Sequence, residues 1–374
     1  MIKRKKKNKE HNPFYDPTLK KRHVSAKRFK KFTLTSLIFS VAFLAFFLFD
    51  MIGKGIPAFN IAYIKTDVTF NEKTLEDTRF AVSRDYRNLV SRAALRDLPK
   101  LLEENPTYMN STQNIWILAS SQVDQYIKNH NHNLKDKDIA IVDELYAQGL
   151  IDKKFNAIFF ENGDSKIPEY AGIFSAVIGS ILTLIITMAV AFPIGVMTAI
   201  YLEEFAGDNK FTRFIEININ NLAAIPSILF GLLGLAIFIN LFGMPRSSPL
   251  VGGLTLALMT LPIIIVSSRA ALRAVPDSIR QAGYGLGLNK IQVTRDHVLP
   301  LAFPGVLTGS IIGLAQAMGE TAPLIIIGMI AFIPDAPTMV TQAATVMPAQ
   351  LFTWAGMPEG TYIEKTAAGI MVLL

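Results

Sequence analysis

Long unbroken apolar runs dominate this chain, and the polar positions collect between them. Phe32–Ile52 (FTLTSLIFSVAFLAFFLFDMI) is the first run, with Asp50 near its end as the one charge. A helix needs about 20 apolar residues to cross ~30 Å of hydrocarbon. This run is longer than the apolar core of a cleaved leader, so it predicts a retained membrane anchor. Further runs follow at 173–201, which contains Pro193, and at 222–242, 250–268 and 304–330, the last containing Glu320. The 173–201 run is roughly 40 Å long as a helix, enough to require tilt or a kink. Thr366–Leu374 is apolar but only nine residues long, roughly 14 Å of helix. It predicts a sixth span that this sequence carries in part, as a truncated or incomplete helix. The fold class predicted is an all-α integral membrane protein.

Residues 53–171 interrupt the apolar pattern and predict a soluble insert, mainly helical. Phe80–Leu102 places Val82, Tyr86, Leu89, Val90, Ala93, Leu98 and Leu101 at helical spacing, which predicts a helix there. Ile115–Ile127 and Asp138–Leu150 are expected to be helical too, and Lys154–Phe160 to be a short strand before the turn Glu161-Asn162-Gly163-Asp164. His130 and His132 could ligate a metal, but no third or fourth ligand lies nearby in sequence, so this stretch reads as a solvated loop and no metal site is expected.

Composition agrees with a membrane protein: 51% of residues are apolar and 18% charged. The net charge of +7 is unevenly placed, since residues 1–31 hold 13 Lys/Arg against 2 Asp/Glu, +11, leaving −4 for the rest. That is a basic tail on a membrane protein, not a globally basic nucleic-acid binder. Lys/Arg in short flanks face the cytoplasm, so the tail 1–31 is expected inside. Alternation then puts 53–171 outside, 202–221 inside, 243–249 outside, 269–302 inside and 331–363 outside. Arg269, Arg273, Arg280, Lys290 and Arg295 in the 269–302 loop obey the rule, whereas the 202–221 loop sets Lys210 and Arg213 against four acids. There is no cysteine, which excludes disulfides, thiolate metal sites and cysteine nucleophiles. No phosphate-loop, G-x-S-x-G or H-E-x-x-H motif occurs. No catalytic residue or cofactor is expected on this chain, and any energy enters through a partner.

The loop 270–302 carries the chain's most informative pattern. Pro276 suits the first turn of a helix and Asp277 complements its dipole. Ala282, Gly283 and Gly285 leave that helix nearly bare, although helical glycine costs about 1 kcal/mol against alanine. A bare backbone allows another body to approach. Gly287 can end the helix in the left-handed conformation. Ile291–Leu299 is expected to form a second short helix, ended by Pro300.

Gln281-Ala282-Gly283, Gly287 and Val298-Leu299-Pro300 together resemble the cytoplasmic coupling loop of binding-protein-dependent ABC importer permeases. Ile225-Pro226-Ser227-Ile228-Leu229-Phe230-Gly231-Leu232, Gly319-Glu320-Thr321-Ala322-Pro323-Leu324, and Pro348-Ala349-Gln350-Leu351-Phe352 with Trp354 resemble the phosphate-transporting branch of that family. The resemblance covers roughly residues 170–374. It implies a six-helix permease bundle over 172–374, in the bacterial inner membrane. It implies docking of cytoplasmic ATPase subunits through Gln281, Ala282, Gly283, Gly285, Gly287, Leu299 and Pro300. It further implies a second homologous permease, an extracytoplasmic phosphate-binding protein and inorganic phosphate as substrate. A permease of the same architecture for molybdate, sulfate or an amino acid is the near alternative, and a membrane-anchored receptor the distant one.

Pro226 and Ser227 would start a membrane helix whose N–H groups and positive dipole end face an anion. With Gln316, Glu320 and Thr321 they are the expected translocation path. A charge within a span costs at least about 2.5–3.5 kcal/mol, so Glu320 should face protein or a cavity. It is expected to be either protonated by burial or paired with a cation. The family often has an Arg four residues earlier, where this chain has Gln316. The cation would then come from the partner permease, or Gln316 would hydrogen-bond a neutral Glu320.

Overall fold

The computed structural model describes residues 18–330 and 332–374. Most of the basic tail, residues 1–17, lies outside the described residues. The chain divides after Gly53 into two compact units. The described part of the first belongs to one helix, Leu19–Gly55, whose last two residues fall in the second unit; it is longer than the expected span 32–52 because the basic residues from Lys20 to Lys31 continue the same helix. Phe29, Phe32, Phe39, Phe43, Phe46 and Phe49 are exposed around it, as befits a helix surrounded by lipid.

The second unit begins with the insert. Its framework is a three-stranded antiparallel sheet, in the order β2-β1-β3, from β1 (Asn60–Phe70), β2 (Ser111–Leu118) and β3 (Ile151–Phe155). Tyr63 pairs with Leu118 on one side of β1 and with Asp152 on the other. Helical segments still cover more of the insert than its strands do, as expected, but the sheet changes where they lie. Ile115–Ile127 is strand to Leu118 and helix only over Ser121–Ile127. The strand expected at Lys154–Phe160 ends at Phe155, and Ala157–Glu161 is helical. Phe80–Leu102 is not one helix either. Ser91 caps the short helix Arg92–Arg96, and Pro99 sits in the first turn of a separate helix, Leu98–Glu104. Proline lacks the N–H that a through-running helix would require there. The helix expected at 138–150 is Asp136–Ala147.

Three helices form the centre of the bundle: Phe174–Ile200, Pro249–Arg273 and Leu299–Gly319. Gly305, Gly309 and Gly313 are four apart on the last of these and face Ala271, Ser267 and Ile264 on the middle one. A Cβ on Gly305 would come within 2.7 Å of Ala271 Cβ, and one on Gly309 within 2.1 Å of Ser267 Oγ. Small residues at this spacing let two membrane helices approach backbone to backbone, where dispersion holds them.

Prolines mark where the expected spans break. The 222–242 run is two helices, Lys210–Ala223 and one from Ser227 to Leu241, bent by 103°. Pro226 has no N–H to give the carbonyl of Leu222, so no helix runs through. The 304–330 run also differs from expectation. Helix runs without a break from Lys290 to Gly319, stops at Glu320, and resumes only for Ala322–Ile326. Pro323 likewise leaves the Gly319 carbonyl without its helical donor. Pro300 does not end a helix as expected. A wider turn over Thr294–Val298 precedes it and accommodates the missing donor.

The helix expected at 366–374 begins earlier, at Gly360, and runs to Leu373. Trp354, on the helix Met347–Ala355, is fully buried and donates to Asp164 Oδ1 at 2.8 Å. Gln350 Nε2 donates to the Gly172 carbonyl at 2.8 Å. These residues of the 348–354 motif hold the bundle to the end of the insert.

Glu364, 5% exposed, joins the insert to this last helix. Its Oε1 accepts from Gln125 Nε2 and lies beside His130 Nδ1, each at 2.6 Å, and its Oε2 meets Lys128 Nζ at 3.1 Å. Lys128 also meets Asp124 at 2.6 Å. Next to it, Lys365 donates to the carbonyls of Pro168, Glu169 and Ala171 at 2.7, 3.1 and 2.6 Å. The stretch around His130 is a largely exposed loop, as expected, but His130 also serves as an anchoring point at Glu364 and His132 packs edge-on against Tyr126.

Candidate functional site

The 270–302 loop forms a compact platform. Helix Asp277–Gly285 follows Pro276, and Gly287 takes φ +80°, the left-handed stop expected of it. Arg280 fixes this helix to the ends of two bundle helices. Its guanidinium meets Glu204 at 2.6 Å and donates to the carbonyls of Leu272 and Val275 at 3.0 and 2.8 Å. Arg273 meets Glu203 at 2.8 Å, and Arg269 meets both Glu203 and Glu216. Three of the four acids that disturbed the charge pattern of 202–221 are therefore partners of the 269–280 arginines, while Asp208 meets Arg213 of its own loop, and the two loops lie at one end of the bundle.

Gly283 does not lie on the open side of its helix. It is buried, and a Cβ there would lie 2.8 Å from Val293 Cγ2. Its missing side chain serves the packing of the platform's own two helices, so the expectation that it faces an ATPase is corrected. Gln281, Ala282 and Gly285 are exposed, and a Cβ on Gly285 would meet nothing within 4 Å. Beside them, Tyr284, Leu286 and Ile291 are 43%, 80% and 63% exposed. Three large apolar side chains thus stand uncovered by the protein next to a bare helix. Sequence reasoning had named the glycines and missed these neighbours, although Tyr284 and Leu286 directly flank Gly285. Leu299 and Pro300 lie inside the continuous helix that leaves the platform, not on this surface.

The second group of expected residues does come together. Ser227, Gln316 and Glu320 line one cavity of about 260 Å³, with Ile225, Phe230 and Met259 among its apolar walls. Ser227 opens the helix after the 103° bend, so its N-terminus borders the same space as the Glu320 carboxylate. The charge expected in mid-helix sits instead at a helix end, on extended backbone at φ −74° and ψ 128°. Pro226 caps the first of these helices and Thr321 the next, and neither borders the cavity. Among the described residues, no Lys or Arg lines it.

Residues 191–353 match the family described as binding-protein-dependent transport system inner membrane component. Residues 16–83 and 76–136 match a domain of unknown function (DUF3333). The phosphate transport system permease protein PstA of Yersinia pestis is 30% identical over 226 residues, 60% of this chain and 74% of that protein. The chain belongs to the binding-protein-dependent transport system inner membrane component family. The PstA of Mycobacterium leprae is 36% identical over 42% of this chain, and the chain spans about half, 52%, of that relative's length. A structure of the inward-facing MetNI methionine ABC transporter is a distant likeness, with 18% identity and a TM-score of 0.42 over 54% of this chain and 88% of that one. As a member of this family the chain is a multi-pass inner-membrane protein. The matched residues 191–353 include both the platform and the Glu320 cavity, whereas the insert's sheet lies outside them.

Proposed function

We propose that this chain is the permease subunit of an ATP-driven importer for inorganic phosphate. The observation that carries the substrate is the likeness to two relatives named as phosphate transport permeases. In this reading the platform receives a separate cytoplasmic ATPase, and a second permease completes the path. A soluble phosphate-binding protein delivers substrate on the side of the insert. The chain performs no chemistry itself. Movement of the platform is passed through Arg280 to the two helices it grips, which Arg269 and Arg273 tie to one another through Glu203, so the bundle rocks between two access states.

The cavity at Ser227 and Glu320 supports an anion path of a particular kind. The backbone N–H groups at a helix N-terminus attract a phosphate oxygen, and a carboxylate on the same space competes for them. Glu320 would hold the empty helix end and yield it to substrate. We expect Glu320→Ala to lower phosphate uptake at least about tenfold, equivalent to ~1.4 kcal/mol, and Glu320→Gln to lower it less than about threefold because the amide oxygen still accepts. Uptake by both variants equal to the parent, at equal membrane levels, would remove Glu320 from the path.

The topology is tested separately. The chain has no cysteine, so single replacements report without background. Glu103→Cys should react with an impermeant thiol reagent added outside intact cells, and Asn289→Cys should react only after permeabilisation. Both sites are exposed. Reversed labelling would overturn the orientation derived from the Lys/Arg distribution.

A further inference from the structure

One cavity lies neither on the platform nor beside Glu320. It is a cleft of about 640 Å³ in the insert, and four arginines, Arg79, Arg87, Arg92 and Arg96, line it against one carboxylate, Asp77. Asp77 is fully engaged by Arg79, whose guanidinium meets it at 2.7–3.2 Å and whose own N–H caps it at 3.1 Å. That pair is neutral, which leaves three positive charges in the cleft.

Those three are poorly satisfied by the protein. Arg87 lies over the Phe80 ring at 4.6 Å and donates through Nε to the Val82 carbonyl at 3.3 Å, so its two terminal nitrogens remain for another acceptor. Arg92 and Arg96 are exposed, stand four apart on one short helix, and meet no carboxylate among the described residues. Like charges at that spacing destabilise a helix by a few tenths of a kcal/mol, so the protein alone gains nothing from the arrangement. Guanidinium groups present paired donors that match phosphate oxygens two at a time. The volume is that of a ligand pocket, in the range of about 300–1,000 Å³, and exceeds what one small oxyanion fills. The concave shape favours a small polyanion over the face of a second protein.

We infer that this cleft is an extracytoplasmic binding site for a soluble polyanion carrying two or more phosphate groups, held by Arg87, Arg92 and Arg96. Only the extracytoplasmic placement rests on the topology proposed above; the binding itself is measured without transport. The full chain in maltoside detergent, which brings no phosphate headgroup, is titrated calorimetrically with tripolyphosphate, with inorganic phosphate and with sulfate. Tripolyphosphate should bind at 150 mM salt at least about tenfold more tightly than either single anion. Arg92→Gln with Arg96→Gln should weaken it at least tenfold, and Arg87→Lys, which keeps the charge but not the paired donors, at least threefold. Lys135→Gln with Lys153→Gln, outside the cleft, should change it less than twofold. The Arg87→Lys arm keeps the test decisive if the double variant fails to fold. Equal losses in both double variants would reduce the effect to bulk charge. No binding of tripolyphosphate at millimolar concentration would overturn the site. So would absent binding accompanied by arginine-dependent cross-linking to an acidic soluble protein, which would make the cleft a docking face.

Discussion

Glu364→Ala should cost roughly 3–5 kcal/mol of stability, the range for breaking a buried ion pair by removing one partner. The loss is large because two other groups are stranded with it. Lys128, whose side chain is 7% exposed, keeps only Asp124, and the Gln125 amide loses its acceptor. The carboxylate of Asp124 is already pushed upward in pKa by burial, against the pull of Lys128, so this pocket compensates a lone cation poorly. Glu364→Gln should cost less than half as much, since it restores an acceptor for Gln125 while losing the charge. Thermal unfolding of the detergent-solubilised protein, together with limited proteolysis between residues 128 and 136, measures both effects. Wild-type melting and protease resistance in Glu364→Ala would show that the insert is held by the sheet and Lys365 alone.

Leu286→Glu combined with Gly285→Trp should abolish phosphate uptake while leaving membrane levels and melting unchanged. Leu286 is 80% exposed and Gly285 has open space around its Cβ position, so neither replacement disturbs the fold. If the surface docks an ATPase, a carboxylate on an apolar contact and an indole on a bare one should each cost a few kcal/mol, the size of an interface hot spot. ATP hydrolysis by the assembled complex should then lose its dependence on substrate. Gly283→Trp is the instructive contrast. It should lower stability, because it drives bulk into Val293, and any transport defect it causes would say nothing about docking. Normal uptake by the Leu286/Gly285 variant would make the platform a simple connector.

What could be read in advance follows from how local each signal is. A membrane helix is fixed by one continuous run, so the cores of Phe174–Ile200 and Pro249–Arg273 were legible to within a few residues. Breaks are legible only in part: Pro226-Ser227 reads as a helix start and is one, whereas the stop at Glu320 before Pro323 goes unread. In lipid a run of apolar residues reads alike whether the helix continues through it or stops and restarts. The insert was misread where its partners were distant. Ala62, Ile64, Val68 and Phe70 alternate along β1 and are buried, a period-two signal that was present but overlooked. Ile115 and Ile117 fit either period, and only pairing with β1 decides between them. At the platform, the glycine spacing pointed to the right loop, but which glycine faces out depends on Val293 ten residues away. The role of Glu203 and Glu204 was hidden for the same reason, since their arginines lie 66–76 positions later in the chain.

Those arginines have a mechanical consequence. Arg280 grips a carboxylate at the foot of one long helix and two carbonyls at the foot of another, so the short helix has little freedom to pivot independently of either. A push on Tyr284 or Leu286 is spent on tilting two spans together and little of it on flexing the joint. The joint is stiff in the sense that matters to a lever, with no slack between stroke and load. Arg280→Lys would keep the charge but replace a fork of three grips by a single swivelling contact, and the expected result is a transporter that still hydrolyses ATP but moves less phosphate for each molecule spent.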